Sequence, residues 1–267
     1  MSILQNFAIG QYVPGNSFVH RLDPRSKLLF TILFAFIVFL ANNPVSYGIL
    51  LLFIAGVIGL SRISGKYIIN GLKPVWWLIV FTVIIHLLTT KGGTVYFQWH
   101  WISIEEEGVR QAIYMSIRLT LLVLVSSILT LTTAPMDLTD GLERLFAPLK
   151  KLRVPVHEMA LMLSIALRFI PTLLEETEKI MKAQMARGAD FETGNILQRV
   201  KNMLPIIIPL FISAFRRAEE LALAMEARGY HGGDHRTRLK QLRFTRNDGV
   251  LLLLCLVLTV VIGWVRT

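Results

Sequence analysis

The segment Val250–Val265 reads VLLLLCLVLTVVIGWV and carries no charged side chain. A helix needs about 20 residues to cross about 30 Å of hydrocarbon, so this run and its immediate flanks are long enough to span a membrane. Four further apolar runs precede it, namely Leu28–Ala41, Val45–Leu60, Pro74–Leu88 and Ile113–Leu131. The five runs predict an all-α integral membrane protein with about five transmembrane helices.

The composition supports this class. Of the 267 residues, 54% are hydrophobic and 17% are charged, whereas soluble domains carry about 25% charged residues. The net charge is nevertheless +10, and the excess of basic residues falls in residues 1–27, 62–73 and 134–247. Because the charge is confined to segments between apolar runs, it indicates membrane topology and gives no reason to expect nucleic-acid binding.

The topology follows from the positions of the basic clusters. Residues 28–60 could form one long span interrupted at Pro44, which would place the basic residues of 21–27 and 62–73 on opposite sides of the membrane. A hairpin that turns at Asn42-Asn43-Pro44 places both clusters in the cytoplasm, as the positive-inside rule prefers. We therefore predict a cytoplasmic N-terminus and an external C-terminus.

Three regions follow from these spans. Residues 1–133 form an N-terminal membrane region with about four transmembrane helices, 134–247 form a cytoplasmic domain, and 248–267 form the C-terminal transmembrane helix. The middle region has helical rather than strand-like patterning, and it is too long to be an unstructured loop. We expect one short helix near 138–151, for which Asp137, Thr139 or Asp140 would be the N-cap.

Two longer helices are expected at 156–188 and 196–228, each about 50 Å long and interrupted by prolines. Both end in the same way, because 183–188 reads AQMARG and 224–229 reads AMEARG. Arginine in the last turn and glycine after it also form an ordinary helix stop. Two copies that close two equally long helices are harder to explain by helix termination alone, and an arginine at such a tip can bind carboxylates or carbonyls of a partner.

Each arginine extends a mostly small or apolar stripe at spacings i, i+3, i+4 and i+7. The stripes consist of Ile180, Ala183, Gln184 and Arg187 in the first helix, and of Leu221, Ala224, Met225 and Arg228 in the second. Such a stripe allows close packing between helices, and its tip could fill a groove on a soluble partner.

At these residues the sequence resembles the transmembrane T component of energy-coupling factor (ECF) transporters over its whole length. The resemblance includes Asp23, Pro24, Arg25 and Lys27 within the segment His20–Lys27 before the first span. It also includes Ala166–Pro171, Arg216–Glu220 and the two Ala-Arg-Gly helix ends.

The resemblance implies a coupling subunit of an ATP-driven importer in the bacterial or archaeal cell membrane. It implies two ABC-type ATPase subunits on the cytoplasmic face and a membrane-embedded S component that captures a vitamin or metal ion. The residues expected to bind the ATPases are Ala186, Arg187, Gly188, Ala227, Arg228 and Gly229. The residues expected at hinges or at the S component are Pro171, Pro205, Pro209, Met181, Met185 and Met225. No catalytic residue, metal or cofactor is expected in this chain.

Two other functions have weaker support. A self-sufficient channel or secondary carrier would be expected to carry acidic residues within its spans, and the predicted spans contain none. An intramembrane CAAX-type protease would use Glu105, Glu106 and Arg110, but His86 and His100 do not have the spacing of its histidine partners. We interpret Ser103 and Glu106 instead as a capping box that opens the fourth helix.

Three other features favour structural roles. His231, Asp234 and His235 lie in a glycine-rich turn without a further spaced ligand, so a solvated loop is favoured over a metal site. His86 and Arg118 are ionisable groups within spans, for which we expect structural roles, and Cys255 is expected to pack as a small apolar residue.

Overall fold

A computed structural model of the chain describes residues 12–99, 102–191, 195–232, 242 and 244–266. The helices are α1 (Pro24–Leu40), α2 (Pro44–Ser61), α3 (Gly65–Thr89), α4 (Glu106–Thr132), α5 (Pro135–Phe146), α6 (Val156–Ala186), α7 (Ile196–Ala227) and α8 (Arg246–Arg266). A 3₁₀ helix, Ala147–Leu152, follows α5, and two strands, β1 (Val95–Trp99) and β2 (Ile102–Glu105), precede α4. The predicted all-α membrane class is confirmed.

Within the described residues, five helices are long and apolar enough to cross a membrane, namely α2, α3, α4, α6 and α8. Five spans were also predicted, but the five helices differ in one member. They include α6 and not α1, which corresponds to the first apolar run. Helix α1 has only 17 residues and is about 25 Å long, which is shorter than the hydrocarbon core. Helix α6 qualifies through its 31 residues at a mean hydropathy of 1.3, the lowest of the five.

The chain reverses direction between α1 and α2, as predicted. Helix α1 ends at Leu40, and α2 begins at Pro44, where proline is well suited to the first helical position. The Phe34 and Phe53 rings stack with centroids 6.0 Å apart. Their 19-residue separation would place them about 28 Å apart on one straight helix, so the two segments form a hairpin.

The short strand pair was not predicted. Strands β1 and β2 pair in antiparallel register, with Phe97 opposite Ile104, and β2 leads directly into α4. The capping-box prediction is therefore wrong, because Ser103 lies in a strand and its hydroxyl donates to Glu105 instead of accepting a hydrogen bond from a backbone N–H of α4. The β-branched and aromatic residues of the segment from Val95 were the available signal for a strand.

The predicted short helix is displaced toward the N-terminus. Helix α5 begins at Pro135, so Asp137, Thr139 and Asp140 lie inside it and none of them is the N-cap. Proline is favoured in the first helical turn because that turn has no intrahelical acceptor for its N–H, and this start overrides the polar capping candidates. The helix then tightens into the 3₁₀ turn, which ends at Leu152.

The described residues divide into two compact units, the first within 10–145 and 241–267 and the second within 146–240. In the first unit, α1, α2, α4 and α8 enclose a core that includes the fully buried side chains of Phe34, Leu50, Leu121 and Ile262. Cys255 is 1% exposed and belongs to the same core, so its predicted packing role is confirmed.

In the second unit, α6 and α7 form an antiparallel pair. Glu176 on α6 accepts hydrogen bonds from the Ser213 hydroxyl and, at 2.8 Å, from the Arg217 guanidinium on α7. Nearer the C-terminal end of α6, the Asn202 side chain donates to the backbone carbonyl of Asp190 at 2.6 Å. Because residue numbers rise on one helix as they fall on the other, the C-terminal ends of α6 and α7 lie at opposite ends of the pair.

Candidate functional site: two matched helix ends

The two Ala-Arg-Gly segments end their helices with the same backbone conformation. Arg187 closes α6 with φ −90° and ψ 9°, and Arg228 closes α7 with φ −90° and ψ 10°. The following residues, Gly188 and Gly229, have φ of +87° and +72°, in the left-handed region that glycine adopts without steric penalty. Glycine at both positions is therefore explained by the backbone conformation.

The hydrogen bonds at the two ends also correspond. The N–H of Gly188 donates to Met185 and that of Ala189 to Gln184, both at 3.0 Å. In α7 the N–H of Gly229 donates to Glu226 at 2.9 Å and that of Tyr230 to Met225 at 3.0 Å. This pair of bonds defines the Schellman motif, which satisfies carbonyls that a helix end otherwise leaves without partners.

The arginine side chains at these ends face solvent. Arg187 and Arg228 are exposed, and neither guanidinium has a hydrogen bond or ion pair within the described part of the chain. Each carries its charge at the negative end of a helix dipole, which stabilises it there. The backbone therefore holds each arginine in a defined place while its five donors remain available to a partner.

Only some of the side chains in the two stripes that lead to the arginines are exposed to solvent. Ala183 and Ala224 are exposed, whereas Gln184, Leu221 and Met225 are half-buried. The apolar members of the second stripe therefore contribute to packing inside the helix pair, and its exposed part is the small residue together with the arginine.

The proposed hinge and contact residues lie on these same helices. Pro171 is inside α6, and Pro205 and Pro209 are inside α7, and both helices continue through them. Among the methionines, Met185 is 42% exposed, while Met181 and Met225 are half-buried. Large apolar side chains are also exposed along α7, among them Leu204, Ile208, Phe211, Ile212 and Phe215.

The residues before the first span form a structural cap. The Asp23 carboxylate accepts from the Arg25 backbone N–H at 2.9 Å, which caps α1, and Pro24 occupies the first position of the helix. The Arg25 guanidinium binds the same carboxylate through Nε at 3.0 Å and Nη2 at 2.9 Å. This bidentate geometry fixes the arginine over the start of the helix.

Asp248 is a member of this cap that the sequence did not reveal. It is 0% exposed, and its carboxylate accepts from the Asp23 backbone at 2.8 Å and from the Thr245 backbone and hydroxyl at 2.7 and 2.6 Å. Arg25 also lies 4.2 Å from the centre of the Phe244 ring. An acidic residue in the first turn of a helix is common, so nothing local distinguished Asp248 from a solvated one.

Lys27 joins three separate segments. Its Nζ is buried and donates to the carbonyls of His20 and Thr132, at 3.2 and 3.0 Å, and to the Thr133 hydroxyl at 3.1 Å. The three donors of the ammonium group are thereby satisfied, as a buried cation requires. Lys27 therefore fastens the start of α1 to the end of α4.

The other ionisable residues considered from the sequence have structural partners. Glu105 accepts from the Gly92 backbone and Glu106 from the Thr94 hydroxyl, so both acids stabilise the strand hairpin. Arg118 donates to the carbonyl of Ala41 at 3.1 Å and to the Tyr47 hydroxyl at 2.9 Å, which closes the C-terminal end of α1. These contacts agree with the structural role predicted for Arg118.

His86 Nδ1 lies 3.3 Å from the Thr90 hydroxyl at the end of α3, which agrees with a structural role. Within the described ranges, no group of three or more His, Cys, Asp or Glu side chains is placed to hold a metal ion. Two residues of the weighed cluster, Asp234 and His235, lie outside those ranges, as does His100 of the protease hypothesis.

Several apolar helices of membrane-spanning length, packed around a buried core, define a multi-pass all-α membrane protein. A family model described as "CbiQ: Cobalt transport protein" matches residues 15–239. The energy-coupling factor transporter transmembrane protein EcfT of Brevibacillus brevis is 65% identical over 265 residues, covering 99% of this chain and 100% of the relative.

Proteins with the same description in Bacillus subtilis and Acidaminococcus fermentans are 51% and 53% identical. Each match covers 99% of this chain, and the matches cover 100% and 98% of the two relatives. The chain therefore belongs to the CbiQ family, among the transmembrane components of energy-coupling factor transporters.

Proposed function

We propose that this chain is the coupling subunit of an ECF-type importer, which binds two cytoplasmic ABC-type ATPase subunits and transmits their motion to a membrane-embedded S component. The single observation that carries this proposal is the pair of matched Schellman ends, each of which presents an exposed arginine. Two helix ends with the same geometry would allow two related ATPase subunits to bind in the same way.

The stiffness of the helix pair supports coupling. Helices α6 and α7 have 31 and 32 residues, and the Glu176–Arg217 ion pair links them near their middle. A force applied at either arginine would pass along the helix that it ends and, through the contacts of Glu176, to the other helix. The prolines within both helices would be the positions at which this element bends.

The exposed apolar side chains of α7 support contact with a partner in the membrane. Phe211 and Phe215 are 61% and 71% exposed, and their rings stack 6.3 Å apart. An S component, which is itself apolar, would cover such a surface. Its cargo would be a vitamin or another micronutrient, and ATP hydrolysis would occur in the ATPases, so this chain would be a non-catalytic subunit.

The proposal extends to topology. The N-terminus and residues 134–247 would face the cytoplasm, where the ATPases bind, in agreement with the basic residues of these segments. In this arrangement α6 would serve as a coupling helix, although its length and composition would also allow it to cross a membrane.

The test is co-purification of the ATPases with the tagged chain from membranes. Arg187→Glu together with Arg228→Glu should release both ATPases while the chain stays inserted, because each acidic replacement would repel the carboxylate or carbonyl that the arginine binds. Each single substitution should weaken assembly less than the double one.

The matched control is Lys179→Glu together with Arg216→Glu, which makes the same charge change at exposed positions on the same two helices. This control should retain both ATPases. Unchanged ATPase recovery with the Arg187 and Arg228 substitutions, in correctly inserted protein, would refute the anchoring role.

A further inference from the structure

A cleft of about 570 Å³ opens between α6 and α7 beside the second Ala-Arg-Gly end. Helix α6 lines it with Leu161, Ile165 and Arg168, and α7 lines it with Leu221, Met225 and Arg228. On both helices these positions have the spacing i, i+4 and i+7, so each set shares one helix face. The two helices therefore contribute two apolar side chains and one arginine each.

The cleft is cationic. Its described lining contains the arginines Arg168 and Arg228 but no acidic residue. Neither arginine side chain has a hydrogen bond or ion pair to another residue in the described ranges. Because apolar walls with one sign of charge concentrate the electrostatic field, this cleft favours an anionic ligand more than a flat surface with two arginines would.

The two arginines are close enough to bind one ligand segment. The contact of Glu176 with Ser213 and Arg217 fixes the register of the pair and brings Arg168 opposite the α7 turn that begins near Leu221. From that turn to Arg228 is about 5–10 Å along the axis. Carboxylates on neighbouring residues of one peptide can therefore reach both guanidinium groups.

The residues beside the two arginines differ, but both ends carry an acid. Arg187 is followed three residues later by Asp190, and Arg228 is preceded by the exposed Glu226 and followed by His231. Each end therefore has one acid within three residues of its arginine, so the feature that distinguishes the α7 end is the second arginine of its cleft, Arg168.

We propose that Arg168 and Arg228 form one binding site for a peptide segment with two or more carboxylates, and that Arg168 makes the α7 end selective for the partner that carries this segment. The identity of that partner as one of the two ATPases rests on the proposed function. The α6 end, with Arg187, takes a partner segment without this requirement.

The test uses the purified full-length chain in detergent and a fluorescent hexaglutamate peptide, with binding measured by anisotropy. Arg168→Ala and Arg228→Ala should each weaken binding about tenfold, because each removes charge-assisted hydrogen bonds to the peptide. A hexaglutamine peptide should bind neither the unsubstituted chain nor the variants.

Two substitutions serve as matched controls. Arg187→Ala removes the equivalent arginine at the other end, and Arg216→Ala removes an exposed arginine of α7 outside the cleft. Both should leave hexaglutamate affinity within about twofold of the unsubstituted chain, as expected for a charge outside the site. Arg168→Lys, which keeps the charge, should recover part of the affinity and guards against loss of folding.

Equal hexaglutamate affinity for Arg168→Ala and Arg216→Ala would overturn the proposal. So would a loss in Arg187→Ala as large as that in Arg228→Ala. The peptide measurement contains no ATPase, so its failure is separate from failure of the proposed function. If Arg228→Glu released an ATPase while Arg168→Ala bound hexaglutamate normally, the result would support ATPase binding by Arg228. It would refute a peptide site formed jointly by Arg168 and Arg228.

Discussion

The backbone N–H of Asp23 donates a 2.8 Å hydrogen bond to the buried carboxylate of Asp248, which lies 225 residues further along the chain. The bond joins the start of α1 to the start of α8. It therefore connects the first and the last helix of the first unit at one end of each.

Asp248→Ala should destabilise the first unit by about 2–4 kcal/mol, because it leaves the buried Asp23 N–H without an acceptor and also removes the acceptor of the Thr245 N–H and hydroxyl. Asp248→Asn keeps a carbonyl oxygen and should lose less. Thermal unfolding in detergent is the measurement, with Asp140→Asn as the control. Equal melting temperatures for all three variants would contradict the role assigned to Asp248.

Lys27→Met should lower the stability by about 1–3 kcal/mol, since the His20 and Thr132 carbonyls and the Thr133 hydroxyl would lose their common donor. The methionine would fill a similar volume, so the loss reports on hydrogen bonding rather than on packing. Thermal unfolding measures it, and Lys66→Met, at an exposed position in α3, is the control. If Lys27→Met were as stable as Lys66→Met, the hydrogen bonds of Lys27 would not be needed to hold the start of α1 against the end of α4.

Gly188→Val and Gly229→Val should each cost about 1–2 kcal/mol, because a β-branched residue is strained at φ of +87° or +72°. The space around both positions is open, with nothing within 4 Å of an added Cβ, so the loss would come from the backbone alone. Asparagine, which tolerates this conformation, should be better accepted than valine.

The matched control for the glycine series is Gly249→Ala, since Gly249 also has open space around it but lies in α8 without a positive φ. That change should be neutral or stabilising. Thermal shift and ATPase pull-down measure the two consequences. If the valine variants matched Gly249→Ala in both assays, the left-handed caps would be irrelevant to stability and docking.

Glu176 and Arg217 should show a coupling energy of about 0.5–1 kcal/mol in a double-mutant cycle with alanine, because their side chains are only partly shielded from water. The lost contact should also raise hydrogen exchange in the middle of α7. The Glu178–Lys182 pair, which lies within α6, is the control and should leave α7 exchange unchanged. Strictly additive effects of the two alanines would show that the ion pair does not hold the helices together.

The apolar runs and the two helix ends could be predicted from the sequence because local rules determine both. Length and hydropathy define a span, and glycine after arginine defines a helix stop, so the predicted ends at 188 and 228 lie within two residues of Ala186 and Ala227. The positive φ of Gly188 agrees with the same rule, because glycine after a helix end adopts the left-handed conformation without a steric penalty.

Features that depend on distant contacts could not be predicted. Asp248 is an ordinary first-turn acid until the fold brings Asp23 to it, and Arg168 is an ordinary helical arginine until α7 packs against its face. The strand hairpin before α4 was missed for another reason. Its four- and five-residue strands are too short for alternation to outweigh the helical signal of the flanking segments.

The antiparallel arrangement of α6 and α7 has a consequence for distance. Asn202 lies beside the end of α6, and from there to Arg228 the helix rises by about 40 Å, so the register of the two helices determines how far apart the two arginines are. A shift of one turn would change that separation by about 5.4 Å. The register of the helix pair thus determines the distance between Arg187 and Arg228. If the partners bound at the two arginines moved apart or together, one helix would have to slide along the other by the same distance.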